Sequence, residues 1–284
     1  MTSRSMLSDI NRLFRSELAG YYPDEELRNF FFLAVEHLLN YSKIDFHLKA
    51  QEPISEEIEE KFQMILRRLK SWEPIQYILG NTFFYGLPFK VDNRVLIPRP
   101  ETEELVQWII TIEGKQPGHI VDLGTGSGCI AVALALHLNG CVVSACDVSE
   151  DALAVARQNA ALNHAPVSFF TVDLLNESRL PGRYRVMVSN PPYVISAEKK
   201  FMRRNVLDFE PGLALYAPDH DPLIFYRRIA LLGRRHILDG GRLYLEINEN
   251  FAHEITRLLE NAGFFGIEVR KDINGRARMV KACK

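Results

Sequence analysis

Apolar side chains recur at helical spacing along the first part of the chain. In one stretch they lie three or four positions apart, at Ile54, Ile58, Phe62, Ile65 and Leu69. Side chains at this spacing share one face of a helix. An earlier run begins at Pro23 and carries acidic residues in its first turn, where they stabilise a helix N-terminus. The pattern predicts a small helical bundle domain over residues 1–81.

After the bundle, the pattern changes to alternating strand-like and helix-like runs. Residues 82–97 contain β-forming side chains interrupted by turn residues, which predicts a β-hairpin linker. Over residues 98–284, strands are predicted at 118–122, 141–146, 167–171, 185–189, 242–247, 266–270 and 278–282. Helical patterns separate most of them, which predicts an α/β domain with a doubly wound, mostly parallel sheet. The last two runs are close in sequence and are predicted to form an antiparallel hairpin at or near one edge.

Composition and charge narrow the class of protein. The chain has 284 residues, of which 47% are hydrophobic and 25% are charged, as in ordinary globular proteins. The net charge of −2 gives no general attraction for a polyanion, so we expect no stable nucleic-acid binding. The longest apolar stretches are far shorter than the roughly 20 residues of a membrane span. The N-terminal segment fits a helix better than a targeting peptide, so we expect a cytoplasmic protein without membrane association.

The cysteines indicate neither a metal site nor a redox pair. They are Cys129, Cys141, Cys146 and Cys283. No two of them form a CxxC pair, and none forms a ligand pattern with histidine. We expect reduced, buried thiols and no bound metal.

A glycine-rich loop follows the first predicted strand of the α/β domain. It reads Gly124, Thr125, Gly126, Ser127 and Gly128. Such a loop lets the backbone approach a ligand, although a tight turn is the simpler interpretation. Cys129 stands where a dinucleotide fingerprint would need glycine, which disfavours a pyrophosphate. Asp147 ends the second strand, where it could bind both ribose hydroxyls or act only as a helix N-terminal charge. Together they indicate a nucleoside ligand without pyrophosphate, for which S-adenosyl-L-methionine is the obvious candidate.

Two further motifs lie at the same edge of the predicted sheet. Asp173 and Leu174 follow the third strand and could bind an adenine ring, or Asp173 could cap a helix. Asn190, Pro191, Pro192 and Tyr193 follow the fourth strand. The prolines fix φ and lack N–H donors, so carbonyl groups are left to accept hydrogen bonds from a ligand. The asparagine oxygen, the Pro191 carbonyl and the tyrosine ring suit a planar amide or exocyclic amine, which we interpret as the acceptor of a methyl group.

These motifs together resemble the HemK-type, or PrmC-type, protein-(glutamine-N5) methyltransferases, which modify the glutamine of the GGQ motif in peptide chain release factors. The matching segments are EPIQYILG (73–80), FYGLPFKV (84–91), VLIPRPETEELV (95–106), EPGLAL (210–215), LEI (245–247) and DINGRAR (272–278). The resemblance implies a seven-stranded Rossmann-like methyltransferase domain, an N-terminal domain that helps to dock the substrate, and S-adenosyl-L-methionine as cofactor. It further implies a cofactor site at residues 124–128, Asp147, Leu174 and Asn190, and an amide site at residues 190–193.

The resemblance also implies class I release factors as partners, and we expect a monomer. A ribosomal-protein glutamine methyltransferase would use the same amide site, and a nucleic-acid adenine-N6 methyltransferase could use a similar one. The charge and the acidic N-terminal region argue against the latter. Departures from the family pattern occur at residues 248–251 and 213–222. Arg99 and Glu101 resemble positions near the site but also suit a helix start.

Overall fold

The computed structural model describes residues 5–114, 116–177 and 179–284. Contacts group the chain into two compact units. The first contains the residues up to 80 together with 203–209, and the second contains residues 81–202 and 210–284. Because 203–209 is distant in sequence from the first 80 residues, local patterns could not assign it to that unit. The division into 1–81, 82–97 and 98–284 stays a prediction.

The first unit is helical, as predicted. Its helices are α1 (Leu7–Leu18), α2 (Asp24–Leu39), α3 (Lys43–Lys49), α4 (Glu56–Lys70), α5 (Ile75–Leu79) and α9 (Arg204–Phe209). Phe14, Phe31 and Phe62 bring the rings of α1, α2 and α4 within 5.6 to 6.2 Å of one another. Of the predicted apolar stripe only Ile58 is not fully buried. Buried aromatic area of this kind supplies most of the stability of a small bundle.

The second unit contains a hairpin and a seven-stranded sheet. Its strands are β1 (Asn81–Phe84), β2 (Leu87–Lys90), β3 (His119–Leu123), β4 (Val142–Asp147), β5 (Val167–Thr171), β6 (Tyr184–Ser189), β7 (Ile237–Glu246), β8 (Phe265–Lys271) and β9 (Ala277–Cys283). β1 and β2 pair antiparallel. The large sheet has the order β5-β4-β3-β6-β7-β9-β8, in which β9 pairs antiparallel with both β7 and β8 and the other neighbouring strands are parallel. The predicted doubly wound sheet with an antiparallel hairpin at one edge is confirmed.

The observed strands of the large sheet agree with the predicted ones to within one residue at each end, except at the start of β7. β3 begins and ends one residue later than predicted. β7 begins at Ile237, five residues earlier, because the strand continues through Gly240 and Gly241. The pairing of β6 with β7 shifts register at this point. The sequence pattern predicted that this strand begins only after the two glycines, at residue 242. Glycine inside a strand often marks such an irregularity.

Helices cover both faces of the large sheet. They are α6 (Pro100–Glu113), α7 (Cys129–His137), α8 (Glu150–Leu162), α11 (Ile224–His236) and α12 (Ala252–Asn261), and the four-residue helix α10 (Gly212–Leu215) lies in the connection between β6 and α11. Alternate residues of β6 enter opposite cores, since Val186 and Val188 pack in the cluster that contains α6 and α7, and Met187 packs in the one that contains α11 and α12. Strands buried on both faces explain the continuous apolar runs of the sequence. No helix in the described ranges is long and apolar enough to cross a membrane.

The sheet order determines where a ligand can bind. β4 and β6 lie on opposite sides of β3 and run parallel to it, so the connections after β3 and β6 diverge at this point. In open α/β sheets the crevice at the carboxyl ends of such strands is the usual ligand site. The glycine loop, Asp147 and residues 190–193 all follow carboxyl ends at this position.

Candidate active site

The glycine loop joins β3 to α7. Its three glycines have φ values of +71°, +54° and +81° at Gly124, Gly126 and Gly128, a region that other residues rarely adopt. The backbone N–H of Gly124 donates to the carbonyl of Cys146 at 2.9 Å, which fixes the loop against the end of β4. A Cβ at Gly124 or Gly126 would stand in open space. The loop is therefore held from one side and leaves room for a ligand on the other.

Asp147 supports this loop as well as facing the crevice. One carboxylate oxygen accepts the N–H of Gly126 at 2.9 Å, and the other accepts the N–H of Ser149 at 3.0 Å. Burial raises the pKa of the Asp147 carboxyl, and these backbone hydrogen bonds oppose that rise. A carboxylate oxygen has two lone pairs, so each oxygen can still accept from a ligand hydroxyl. Both interpretations from the sequence, helix N-terminal charge and ligand contact, fit the observed geometry.

A cavity of about 270 Å³ lies over the loop. It brings together most of the predicted cofactor residues, namely Gly124, Thr125, Gly126, Ser127, Asp147, Asp173, Leu174 and Asn190. Gly128 is not part of the lining and instead packs against α8, where its Cβ position lies 3.0 Å from the Cβ of Ala156. The remainder of the lining is largely apolar and includes Leu96 and Phe225. An apolar cavity with a few polar groups is typical of a small-molecule site.

A smaller cavity of about 60 Å³ adjoins the first. Asn190 lines both, Pro192 lines the larger one, and Pro191 and Tyr193 line the smaller one. The residues predicted to hold an amide therefore surround a space next to the predicted cofactor space. Arg99 also lines both cavities, and its guanidinium donates to the buried carboxylate of Glu210 at 2.6 Å.

A buried carboxylate lines the smaller cavity. Glu246, at the end of β7, accepts the hydroxyl of Thr102 at 2.6 Å and the hydroxyl of Tyr193 at 2.9 Å. The side-chain nitrogen of Asn190 donates to the same Thr102 oxygen at 3.2 Å. Burial raises the pKa of the Glu246 carboxyl, while the two hydroxyl donors and the charge of Arg278 oppose that rise. Burial and the charge of Glu246 hold the pKa of Tyr193 well above its ordinary value.

Each carboxylate oxygen of Asp173 accepts one hydrogen bond from within its own turn. One accepts the N–H of Leu175 at 2.8 Å, and the other accepts the side-chain N–H of Asn176 at 2.6 Å. The sequence offered helix capping as the alternative to adenine binding, but the residues that follow, 174–176, form a turn instead of a helix, and the hydrogen bonds close that turn. Leu174 is buried and lines the larger cavity. Adenine contacts from these two residues stay a prediction.

The turn that departs from the family pattern supports the amide site from outside. The side-chain nitrogen of Asn248 donates to the carbonyl of Tyr193 at 3.2 Å and to the carboxylate of Glu198 at 2.9 Å. Its oxygen accepts the N–H of Asn250 at 2.9 Å. Asn248 lines neither cavity. The turn at residues 248–251 therefore acts on the amide site indirectly, by holding the backbone carbonyl of Tyr193 in place.

Sequence reasoning missed several residues of the site. Asp122 is fully buried at the end of β3 and accepts the hydroxyl of Thr125 at 2.6 Å. Burial, with a smaller contribution from Asp147, raises the pKa of Asp122 to about 7. Its position two residues before the first glycine of the loop was the available signal. Thr102 and Glu246 lie in two of the segments that carry the family resemblance, 95–106 and 245–247, but neither segment indicates their contact across 144 positions of sequence.

Known proteins resemble this chain over nearly its whole length. Residues 11–80 match the family model of the PrmC N-terminal domain, and residues 102–208 match that of the methyltransferase small domain. The release factor glutamine methyltransferase of Flavobacterium psychrophilum is 41% identical over 280 residues, covering 97% of this chain and 98% of the relative. That of Bacteroides thetaiotaomicron is 42% identical over 277 residues, covering 97% and 99%.

A solved structure supports the fold assignment. The crystal structure of a methyltransferase from Pyrococcus furiosus aligns with a TM-score of 0.54 and covers 81% of this chain and 99% of that one. Its sequence identity of 15% limits the comparison to the fold.

Proposed function

Because this chain belongs to the release factor glutamine methyltransferase family, we propose that it transfers a methyl group from S-adenosyl-L-methionine to the side-chain amide nitrogen, N5, of the GGQ glutamine in peptide chain release factors. The observation that carries the proposal is the position of Asn190, which lines both a nucleoside-sized cavity and the small cavity next to it. One residue can thus contact both the methyl donor and the amide that receives the methyl group. Release factors act on ribosomes, so we infer that the enzyme works in the cytoplasm.

The larger cavity fits the cofactor. Because Gly124 and Gly126 have no side chains, the space beside the loop stays open for a ligand. The carboxylate of Asp147 retains lone pairs for the two ribose hydroxyls, and Leu174 supplies an apolar surface for the adenine ring. When bound, the cofactor supplies a methyl group on a positively charged sulfur, and the sulfur keeps the electron pair of the carbon–sulfur bond as the new carbon–nitrogen bond forms.

The smaller cavity suits the glutamine amide. The side-chain oxygen of Asn190 and the carbonyl of Pro191 can each accept one amide hydrogen, while the ring of Tyr193 bounds the cavity. An amide nitrogen is a weak nucleophile, so holding both hydrogens and aligning the nitrogen with the methyl group is the catalysis that these residues provide. The Tyr193 hydroxyl donates to Glu246 and its pKa is high, so it does not serve as the base. The proton lost after methylation passes to water.

The substrate is tested by offering several acceptors. Purified protein is incubated with radiolabelled S-adenosyl-L-methionine and, separately, a release factor, its GGQ Gln→Ala variant, ribosomal proteins and duplex DNA. We expect label on the wild-type release factor alone. Label on ribosomal protein would support the amide site but show that the protein substrate is not a release factor. Label on DNA would show that the acceptor is an adenine amine and not a glutamine amide. Docking of the release factor by the N-terminal helices stays a prediction.

The amide site is tested by Asn190→Ala. Removing one of two acceptors should lower kcat roughly 100-fold or more, as loss of a transition-state hydrogen bond does in other enzymes. The Kd for the cofactor, measured by calorimetry, should change only a few-fold. Asn176→Ala serves as the matched control, because that side chain only bonds the turn at Asp173. Near-normal turnover of the Asn190 variant would contradict the proposed acceptor site.

A further inference from the structure

We propose that Thr102 and Glu246 are positioning residues that fix the direction of the Asn190 side-chain amide, so that its oxygen faces the acceptor glutamine. The inference rests on the proposed function and extends it to Thr102, which lines the larger cavity, and Glu246, which lines the smaller one. Thr102 lies in the first turn of α6, and Glu246 lies at the end of β7. Both belong to regular elements, whose backbones hold side chains more precisely than loops do.

The hydrogen bonds have a forced direction. A carboxylate can only accept, so the Thr102 hydroxyl gives its single proton to Glu246 at 2.6 Å. The same hydroxyl oxygen can then only accept from Asn190, which must present its NH₂ group at 3.2 Å. With the NH₂ group held by Thr102, the side-chain oxygen of Asn190 remains to accept an amide hydrogen from the substrate. The reverse orientation would place the Asn190 oxygen against the Thr102 oxygen, which has no proton left to donate, and would turn the NH₂ group toward the amide hydrogens of the substrate.

The same carboxylate holds the other end of the amide site. Its second oxygen accepts the hydroxyl of Tyr193 at 2.9 Å. Glu246 is 1% exposed, and in such an environment polar groups are costly unless they are paired. One buried carboxylate therefore orients the side chains at both ends of the motif 190–193.

The isosteric substitution Thr102→Val tests the inference. It removes the hydroxyl and keeps the shape, so the Asn190 amide loses both its fixed direction and its fixed position. A displacement of about 1 Å can cost a factor of about 100 in rate, and we expect kcat to fall roughly 10- to 100-fold. The Kd for the cofactor and the KM for the release factor should stay within about threefold. The side-chain NH₂ signal of Asn190 in an NMR spectrum should exchange faster with water.

Two control variants separate positioning from packing. Thr102→Ser retains the hydroxyl and should recover most of the lost kcat. Thr111→Val makes the same change on the same helix, where the hydroxyl bonds only Gln107 and the side chain is exposed, and it should leave kcat unchanged. In an Asn190→Ala background, Thr102→Val should cost less than twofold, because its effect passes through Asn190.

Three results would overturn the inference. They are a kcat for Thr102→Val within twofold of wild type, an equal loss for Thr102→Ser and Thr102→Val, and additive losses in the double variant. The wild-type rate on the release factor tests the proposed function separately. The ratios among variants and the exchange of the Asn190 amide test the positioning.

Discussion

The third glycine of the loop makes a different contact from the first two, which leads to a quantitative prediction. All three have positive φ, but only Gly128 lies against another helix. A Cβ built there would be 3.0 Å from the Cβ of Ala156 and 3.2 Å from its Cα, on α8. At Gly124 and Gly126 the same Cβ would meet nothing within 4 Å. Alanine at the three positions should therefore have different effects.

The magnitudes follow from two contributions. A left-handed conformation costs alanine about 1–2 kcal/mol at each position. At Gly128 the overlap with Ala156 adds about 1–3 kcal/mol, because α7 and α8 must move apart. We expect Gly128→Ala to lower the free energy of unfolding by about 2–5 kcal/mol. Gly124→Ala and Gly126→Ala should lower it by only about 1–2 kcal/mol.

Urea unfolding and cofactor titration measure the two sides of this prediction. Gly128→Ala should lower the urea midpoint most, with an unchanged m-value. Gly126→Ala should leave the midpoint closer to wild type but weaken cofactor binding more than tenfold, because its Cβ stands in the space assigned to the ligand. Adding Ala156→Gly to Gly128→Ala should restore part of the lost stability, measured as the coupling in a double-mutant cycle. Equal destabilisation by all three alanines, or no coupling with Ala156, would refute the reasoning.

Two further predictions concern buried polar residues around the loop. The pKa of Asp122 is about 7 in the folded state, whereas an unfolded aspartate titrates near pH 4. Between pH 4 and pH 7 the folded state therefore binds more protons than the unfolded state, and the free energy of unfolding falls as the pH rises. Asp122→Asn should remove about 4 kcal/mol of this decline, measured by urea unfolding at several pH values; an unchanged pH dependence would contradict the assignment. Asn159 donates to the carbonyls of Lys90 and Ser127 and accepts the N–H of Lys90. Asn159→Ala should cost about 3–5 kcal/mol in thermal or urea unfolding. The control Asn163→Ala, at a residue that is only half-buried, should cost clearly less, and equal losses would show that burial of these bonds is unimportant.

Candidate site residues could be located from the sequence where each of them follows a predicted strand. Asp147 and Asn190 could be located because each follows an apolar run, and parallel strands bring their carboxyl ends to one edge. The same reasoning gave the seven strands and the antiparallel hairpin, since alternation and short turns are local signals. The site residues themselves are placed together by the fold, and their contacts with ligands stay predictions.

Other features depend on contacts that no local pattern encodes. Glu246 looked like an ordinary part of an apolar run, and its pairing with Thr102 exists only once β7 and α6 are packed. Asp173 shows a different case, since its carboxylate oxygens accept hydrogen bonds within a turn where the sequence offered only a helix cap as the alternative to adenine binding. The early start of β7 was hidden because Gly240 and Gly241 interrupt the strand pattern.

The strand order of the sheet gives the enzyme a late step of assembly during its own synthesis. β8 leaves the ribosome before β9, yet it lies at the edge of the sheet and pairs with β9, which separates it from β7. Until β9 is made, β7 and β8 both have an unpaired edge, a state that favours misassociation. Arg278 of β9 then donates to the carbonyl of Ile247 and places its guanidinium 5.9 Å from the ring of Tyr193. A nascent chain that already contains the glycine loop, Asp147 and residues 190–193 therefore still lacks Arg278 beside Tyr193. We expect it to gain methyltransferase activity only when β9 inserts into the sheet.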